Sequence, residues 1–363
     1  MPALASPAPA PAHAAPAPPG AAVASDLELA MAREPAAFRV LTGDRPTGPL
    51  HLGHYFGTLE NRVRLQDAGV EMLVLIADYQ AITDRTAPAG LPGDVLGLVA
   101  DYLAAGLDPA RTAIFAHSQV TAIHQLLLPF LSLVSVAEVG RNPTVKDEIA
   151  AAGTAGVSAL MFSYPVHQAA DILSVRASVV PVGRDQLPHL ELARTIARRF
   201  NDRYSPGGPY FAEPAALLGS APVLLGTDGT KMSKSRRNAV PLRATADETA
   251  RLIRGARTDA ERVITYEPER RPEVSSLVLL AALCRDEPPA QVAAQIGAGG
   301  AAALKRAVTD AVNQRFAPFR SRRAELARDR GHLQAVLAAG NERAGVLAAA
   351  TLDDVRALMH TRY

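Results

Sequence analysis

Short apolar runs alternate with longer, helix-like segments from about Phe38 to Phe200, and this alternation restricts the possible folds more than any other feature. The runs at 39–42, 72–77, 113–116 and 179–182 are nearly continuous in apolar character, which suits strands covered on both faces. Between them, segments 51–68, 94–106, 123–139, 157–175 and 186–200 are long enough to be the covering helices. Strand and helix in turn predict an α/β fold with a doubly wound parallel sheet, because parallel neighbours need a crossover connection. Beyond about Pro241 the strand-like runs nearly disappear, and the apolar residues around Leu252, 277–283, Val308, 333–337 and Leu352 suit helices. The expected organisation is a tail over 1–35, an α/β domain over 36–240 and a mostly helical domain over 241–363.

The 363 residues, 48% of them hydrophobic, suffice for a sizeable core, and a formal net charge of +2 is no argument for a polyanion or a membrane as partner. Residues 1–25 contain 11 Ala and 7 Pro and no Asp, Glu, Lys or Arg. That composition is expected to be disordered, and it lacks the basic start and unbroken apolar stretch of a secretory signal. Charges, Pro or Gly interrupt every apolar segment before the roughly 18 residues that a membrane span requires, so no membrane partner is expected. The one cysteine, Cys284, has no intrachain disulfide partner, in keeping with a reducing cytoplasm.

PTGPLHLGHYFG, residues 46–57, follows the first expected strand and opens the first helix, at the carboxyl edge where doubly wound sheets bind ligands. Gly48, Gly53 and Gly57 let a large group approach the backbone, and the helix N-terminus offers N–H groups to negative charge. His51 and His54 add side-chain donors. They share a helix face, yet no third ligand at suitable spacing accompanies them, so no metal site is expected. A second stretch, TKMSKS over 230–235, follows Gly226-Thr227-Asp228-Gly229 on a polar loop. Only four lysines, Lys146, Lys231, Lys234 and Lys305, occur among 38 basic residues, and two of them fall here. A chain that otherwise uses Arg keeps Lys where a compact ammonium suits triphosphate oxygens better than a planar fork. A solvated basic loop is the plainer alternative.

Together, HLGH at 51–54 and KMSKS at 231–235 resemble the paired motifs of class I aminoacyl-tRNA synthetases. TGDRPTGPLHLGH, ADYQAITD, RNPTVKDEI, YPVHQAADIL and VPVGRDQLPHLELARTIARRFN are similar to tryptophanyl-tRNA synthetases, in particular a divergent bacterial type. The resemblance runs from about residue 38 to the C-terminus. It implies a Rossmann-like catalytic domain over 36–240 that binds ATP and amino acid, and a tRNA anticodon-binding domain over 241–363. It also implies that Asp171 accepts the indole N–H of L-tryptophan, on a helix face shared with Tyr164 and Gln168. Val180 and Val182 are then apolar walls, Gln186 approaches the ammonium and Gln80 borders the pocket. The implied ATP site takes in Arg45, Pro46, Thr47, Gly53 and His54 after the first strand, and Gly183, Arg184 and Asp185 around ribose and adenine. Val223 and Met232 border the base, and Lys231, Ser233, Lys234 and Ser235 lie at the phosphates. His51, His54, Lys231 and Lys234 form the implied catalytic set, stabilising charge as it moves onto pyrophosphate.

The activity so implied begins with the amino-acid carboxylate attacking the α-phosphorus of Mg-ATP and expelling pyrophosphate. A ribose hydroxyl of the 3′-terminal adenosine of tRNA(Trp) then takes the tryptophanyl group, in a cytoplasmic homodimer. Eight basic residues against three acidic over 305–330 suit tRNA phosphates or, equally, a solvated helix face. RNPTVKDE is expected to be a polar loop, and Lys146 in it has no assigned role. Arg45, Gln80 and Gln168 stand where the better-known branch commonly has Gln, His and Met. Gln168-x-x-Asp171 also resembles the polar pair of tyrosyl-tRNA synthetases, so a tyrosyl enzyme is the enzymatic alternative. A noncatalytic synthetase-like binding paralogue is the alternative of a different class.

Overall fold

Among the described residues, five strands form one wholly parallel sheet in the order β3-β2-β1-β4-β5. They are Arg39–Asp44 (β1), Glu71–Ile76 (β2), Thr112–Ala116 (β3), Val179–Val182 (β4) and Ala215–Leu218 (β5). The computed structural model describes residues 25–82, 90–152, 157–183, 186–218, 223–234 and 236–363. The first four strands coincide with the apolar runs. β5 was not expected, since Ala-Ala-Leu-Leu is too short for a periodic signal; it is recognisable only by its pairing, Val179↔Ala215 through Val182↔Leu218.

Alternate residues of each strand feed opposite layers: Val74, Ile76 and Ile114 enter one core, and Leu41, Leu73, Leu75 and Phe115 the other. The chain steps outward from β1 to β2 to β3, then crosses back to place β4 on the other side of β1. The β1/β4 boundary is therefore the switch point, where a crevice opens beyond the carboxyl ends of the strands.

The helix after β1 is composite: Leu52–His54 and Glu60–Asp67 are α-helical, and Tyr55–Leu59 between them is a π-turn. Such insertions into a helix are frequent at functional sites. The expected single helix over 123–139 divides into Thr121–Leu131 and Val136–Gly140, the second begun by a capping box in which Ser135 and Glu138 satisfy each other's backbone N–H. RNPTVKDE is a helix, Pro143–Ala152, rather than the expected loop: Pro143 tolerates the first helical position, and Asn142 Oδ1 accepts from Thr144 N at 3.1 Å. The remaining helices over this half are Leu91–Ala105, Ala159–Ser174 and Leu187–Tyr204.

Two expected boundaries are corrected. The tail does not reach residue 35, because Asp26–Arg33 is a helix with its own capping box, and Met31 packs with Val40, Met72 and Val179 beneath the sheet. Residues 1–24 lie outside the described residues. The helices Ala246–Arg254, Pro272–Arg285, Pro289–Ile296, Gly300–Leu326 and Arg330–Leu358 do not form a core separate from the sheet. One continuous cluster joins Leu52, Val74 and Ile76 to Val240, Val278, Val308 and Phe316 across residue 240. The last helix lies directly on β3: a Cβ on Gly340 would stand 1.8 Å from the Ile114 carbonyl oxygen, so only glycine permits that approach. A buried polar tie reinforces the union, with Arg323 Nε donating to Asp101 Oδ1 at 2.5 Å and Asp101 Oδ2 accepting from Leu50 N at 3.3 Å.

Candidate active site

A cavity of about 430 Å³ opens at the switch point, floored by the ends of β1 and β4. Asp44 and Arg62 in its lining belong to a largely buried polar cluster. Arg62 Nη1 and the Tyr102 hydroxyl both donate to Asp44 Oδ2, at 2.6 and 2.7 Å. Burial alone would raise the Asp44 pKa, but the Arg62 guanidinium and the Tyr102 hydroxyl outweigh it and hold the carboxyl well below the usual carboxylate range. Asp44 is thus a fixed anion whose charge is already matched.

The wall toward the helix Ala159–Ser174 carries Tyr164, Gln168 and Asp171, brought onto one face by their spacing of four and three. Asp171 is almost fully buried, and its Oδ1 lies 2.8 Å from Nε2 of His117 on the turn that follows β3. Burial would lower the His117 pKa, but Asp171 and Asp78 outweigh it and raise it. Tyr164 is held from the other side. The Asn142 carbonyl oxygen already accepts from Thr144 N, so its amide group donates to His189 Nδ1 at 3.2 Å. That leaves the His189 Nε2 proton for the Tyr164 hydroxyl oxygen, 3.2 Å away. Val180 and Val182 supply apolar surface opposite, while Gln80, Gly183 and Gln186 complete this side of the lining.

On the other side, Arg45 and His54 border the cavity. His51 does not: it is buried behind His54, the two rings 3.6 Å apart. Gly53 makes room for these side chains, since a Cβ there would meet the His51 ring at 3.1 Å and Met232 Sδ at 3.6 Å. His51 N donates to His54 Nδ1 at 3.2 Å, so the neutral His54 ring carries its proton on Nε2. Burial, helped by His54 and Lys234, lowers the His51 pKa to about 3. Burial, with Lys234 and Arg62, outweighs the pull of Asp44 and lowers His54 to about 4. With pKa values this low, both imidazoles are neutral at physiological pH, and each then carries one N–H and one lone pair.

The KMSKS loop is stitched to this segment. Lys234 Nζ donates to the Gly48 carbonyl at 2.8 Å, Leu52 N donates to Val240 O, and Leu242 N donates to Leu50 O. Asn238 organises the loop itself, donating to Asp228 Oδ1 at 2.7 Å and accepting from Ser233 N at 2.8 Å. Met232 turns inward and joins the core, so it is an anchor as well as a neighbour of the crevice. Lys231 is exposed on the same loop. Pro46, Thr47 and Val223 are not part of the cavity lining, and Val223 is largely exposed. Arg184, Asp185 and Ser235 lie outside the described residues.

Sequence reasoning missed His117, His189, Asn142 and Arg62. Each acts through a partner distant in sequence, and only Arg62 follows a motif closely enough for helical spacing to have suggested it. The basic stretch 305–330 is partly spent internally. Lys305 donates to Arg254 O, Arg315 pairs with Glu60, Arg320 bonds Asn313 and Thr249, and Arg323 holds Asp101. Arg306, Arg322, Arg328 and Arg330 are exposed.

A family model described as tRNA synthetases class I (W and Y) matches residues 33–317. The tryptophan–tRNA ligase of Streptococcus agalactiae serotype V is 40% identical over 339 residues, spanning 89% of this chain and 98% of the relative. That of Clostridium longisporum is 38% identical, spanning 89% and 97%. Among solved structures, the tryptophanyl-tRNA synthetase from Campylobacter jejuni complexed with ADP and tryptophan has a TM-score of 0.77 at 31% identity, covering 89% of this chain and 99% of that one.

Proposed function

Because the chain belongs to the class I tRNA synthetases of the W and Y family, we propose that the cavity activates L-tryptophan with Mg-ATP and passes it to tRNA(Trp). With tryptophan ligases as relatives at 38 to 40% identity over most of its length, the chain is an aminoacyl-tRNA ligase for tryptophan. The observation that carries the amino-acid assignment is Asp171, a buried carboxylate clamped by His117 at the wall of a cavity flanked by Val180 and Val182. Apolar surface beside a buried carboxylate acceptor suits an indole, which has one N–H donor. A buried polar partner also rejects analogues that cannot satisfy it.

The tryptophan carboxylate attacks the α-phosphorus, the bond to the bridging oxygen breaks, and tryptophanyl-adenylate and pyrophosphate result. The 2′-hydroxyl of the terminal adenosine then attacks the acyl carbon, and AMP leaves. His54 offers its Nε2–H from the HLGH turn, His51 supports it from behind, and Lys231 and Lys234 meet the leaving phosphates. Arg45, Pro46, Thr47, Gly53, Gly183, Arg184, Asp185, Val223, Met232, Ser233 and Ser235 complete the nucleotide side. Asp44 is committed to Arg62 and Tyr102 and so is a poor ligand for the Mg²⁺ that would accompany ATP and help to neutralise its phosphates.

The helical region from 241 onward is the anticodon-binding part, with Arg306, Arg322, Arg328 and Arg330 as its exposed cations. The working unit is a cytoplasmic homodimer. Leu128 and Val136, 73% and 76% exposed on neighbouring helices, are apolar surface of the kind that a second copy covers. No described helix is long and apolar enough to cross a membrane. The test is charging of a tRNA(Trp) transcript with labelled tryptophan by the full chain. Tryptophanyl-tRNA is the expected product, and absence of any charged tRNA would favour the noncatalytic paralogue.

A further inference from the structure

Beside the wall that carries Asp171 lies a cluster of imidazoles, of which the ligase reading uses only His117, as the neighbour of Asp171. His117 follows β3, His124 lies on the helix Thr121–Leu131, and His167 precedes Asp171 by one turn on the helix Ala159–Ser174. One ring nitrogen from each lies within 4.8 Å of the other two, and theirs is the one such group found among the described residues. His124 Nδ1 and His167 Nε2 face each other at 3.0 Å. Two nitrogens bound to one tetrahedral zinc ion at its ordinary bond length stand about 3.3 Å apart, so this pair already has nearly that spacing.

The surroundings also match what metal-bound histidines require. His124 Nε2 lies 3.0 Å from the His117 carbonyl, which can only accept. The proton is therefore on Nε2, and the lone pair on Nδ1 points toward His167. On the opposite side, Asp171 Oδ1 lies 2.8 Å from His117 Nε2, placing a carboxylate beside a candidate ligating ring. Both nitrogens of His117 and Nδ1 of His167 are buried without a hydrogen-bond partner. A simple hydrogen bond between His124 and His167 accounts for neither these orphaned nitrogens nor the convergence of the third ring. His117 and His167 are fully or almost fully buried, so the cluster is shielded from solvent on the side of the fold's interior.

We propose that His117, His124 and His167 bind one divalent transition ion of the zinc type, with Asp171 behind His117 as the orienting carboxylate. Three imidazoles leave one coordination position open, which water can fill. The ion cross-links the turn after β3 to the specificity helix and fixes the ring against which Asp171 rests. The three residues have no ligand-like spacing along the chain and are brought together only by the topology of the sheet.

The test uses the full chain, stripped with a chelator and titrated with Zn²⁺ or Co²⁺ in the absence of tryptophan, ATP and tRNA, so its failure leaves the ligase reading untouched. One Zn²⁺ per chain is expected, with a raised Tm, and visible Co²⁺ absorption of a tetrahedral nitrogen and oxygen site. His124→Gln and His167→Gln lose both signals, and His360→Gln, at an exposed position, keeps them. A wild-type chain that retains no zinc against a competing chelator overturns the proposal, as does full stoichiometry in either histidine variant. Should a variant fail to fold, X-ray absorption on the zinc-loaded wild type decides: imidazole ligands support the site, and sulfur in the shell, which implicates Cys284, refutes it.

Discussion

On the side of the cavity assigned to the amino acid, Tyr164, Gln168 and Asp171 stand on one helix, with His189 beside Tyr164 and His117 beside Asp171. On the side assigned to phosphates, Arg45, Lys231 and Lys234 stand on loops tied down by backbone carbonyls and by Asn238. The contrast follows from what each half must do. Discrimination between similar rings needs an acceptor that cannot move or rehydrate, which favours burial on a regular element. Stabilising a charge that shifts during the reaction needs long cationic side chains near a polar surface, which loops can present. Substitutions should therefore separate the two halves.

The largest effect is expected from replacing Lys231 and Lys234 together by Ala. Loss of about 10³-fold in tryptophan-dependent pyrophosphate exchange is the expected scale for removing such charge stabilisation, with tryptophan affinity little changed. The chain contains no Trp, so indole fluorescence reports bound tryptophan without protein background. A parallel loss of tryptophan binding would erase the distinction between the halves. Next comes Arg323→Ala, which leaves the buried Asp101 without its cation and costs about 3 kcal/mol of folding stability, read as a lowered urea midpoint. Because Asp101 also holds Leu50 N, a raised KM for ATP should accompany it, and an unchanged midpoint would show that this tie carries nothing.

Asp171→Asn removes the charged acceptor and should weaken tryptophan binding by about 2 kcal/mol, some 30-fold, with ATP affinity preserved. Tyr164→Phe is milder. It deprives His189 of one partner, with an expected loss of about 1 kcal/mol in stability and a modest rise in the tryptophan KM; a rise confined to ATP would reverse the assignment of the two walls. A separate expectation, outside this ranking, concerns pH. His51 and His54 titrate near 3 and 4 in the folded chain against 6.5 when unfolded, so between these values the unfolded chain binds more protons. Their contribution makes stability fall as pH drops from 6.5 toward 4 and leaves it level above 6.5. Exchange should show no inflection from them between about pH 6.5 and 8, and an inflection abolished by His54→Gln would show that the ring works as an acid.

The sheet was legible because strands buried on both faces must be apolar throughout, and β1 to β4 carry that mark. β5 does not, being four residues long and ending in an exposed Leu218. The helix Pro143–Ala152 was hidden by polar composition, and the union of the two halves of the chain by Gly340, whose closeness to Ile114 no local pattern announces. In the site, the motif residues could be named from spacing and resemblance. Which of them face the cavity could not: His51 and His54 look equivalent in HLGH, yet one borders the cavity and the other is packed behind it. The bracing residues His117, His189 and Asn142 depend on contacts between strand ends and helices far apart in sequence, information carried by the topology alone.

The central claim, that the Asp171 wall selects tryptophan for activation in this cavity, is tested most directly by ATP–pyrophosphate exchange on the purified full chain, with tryptophan and tyrosine supplied separately and no tRNA. Exchange with tryptophan and none with tyrosine is the expected result. Exchange with tyrosine alone, or with neither amino acid, would contradict it.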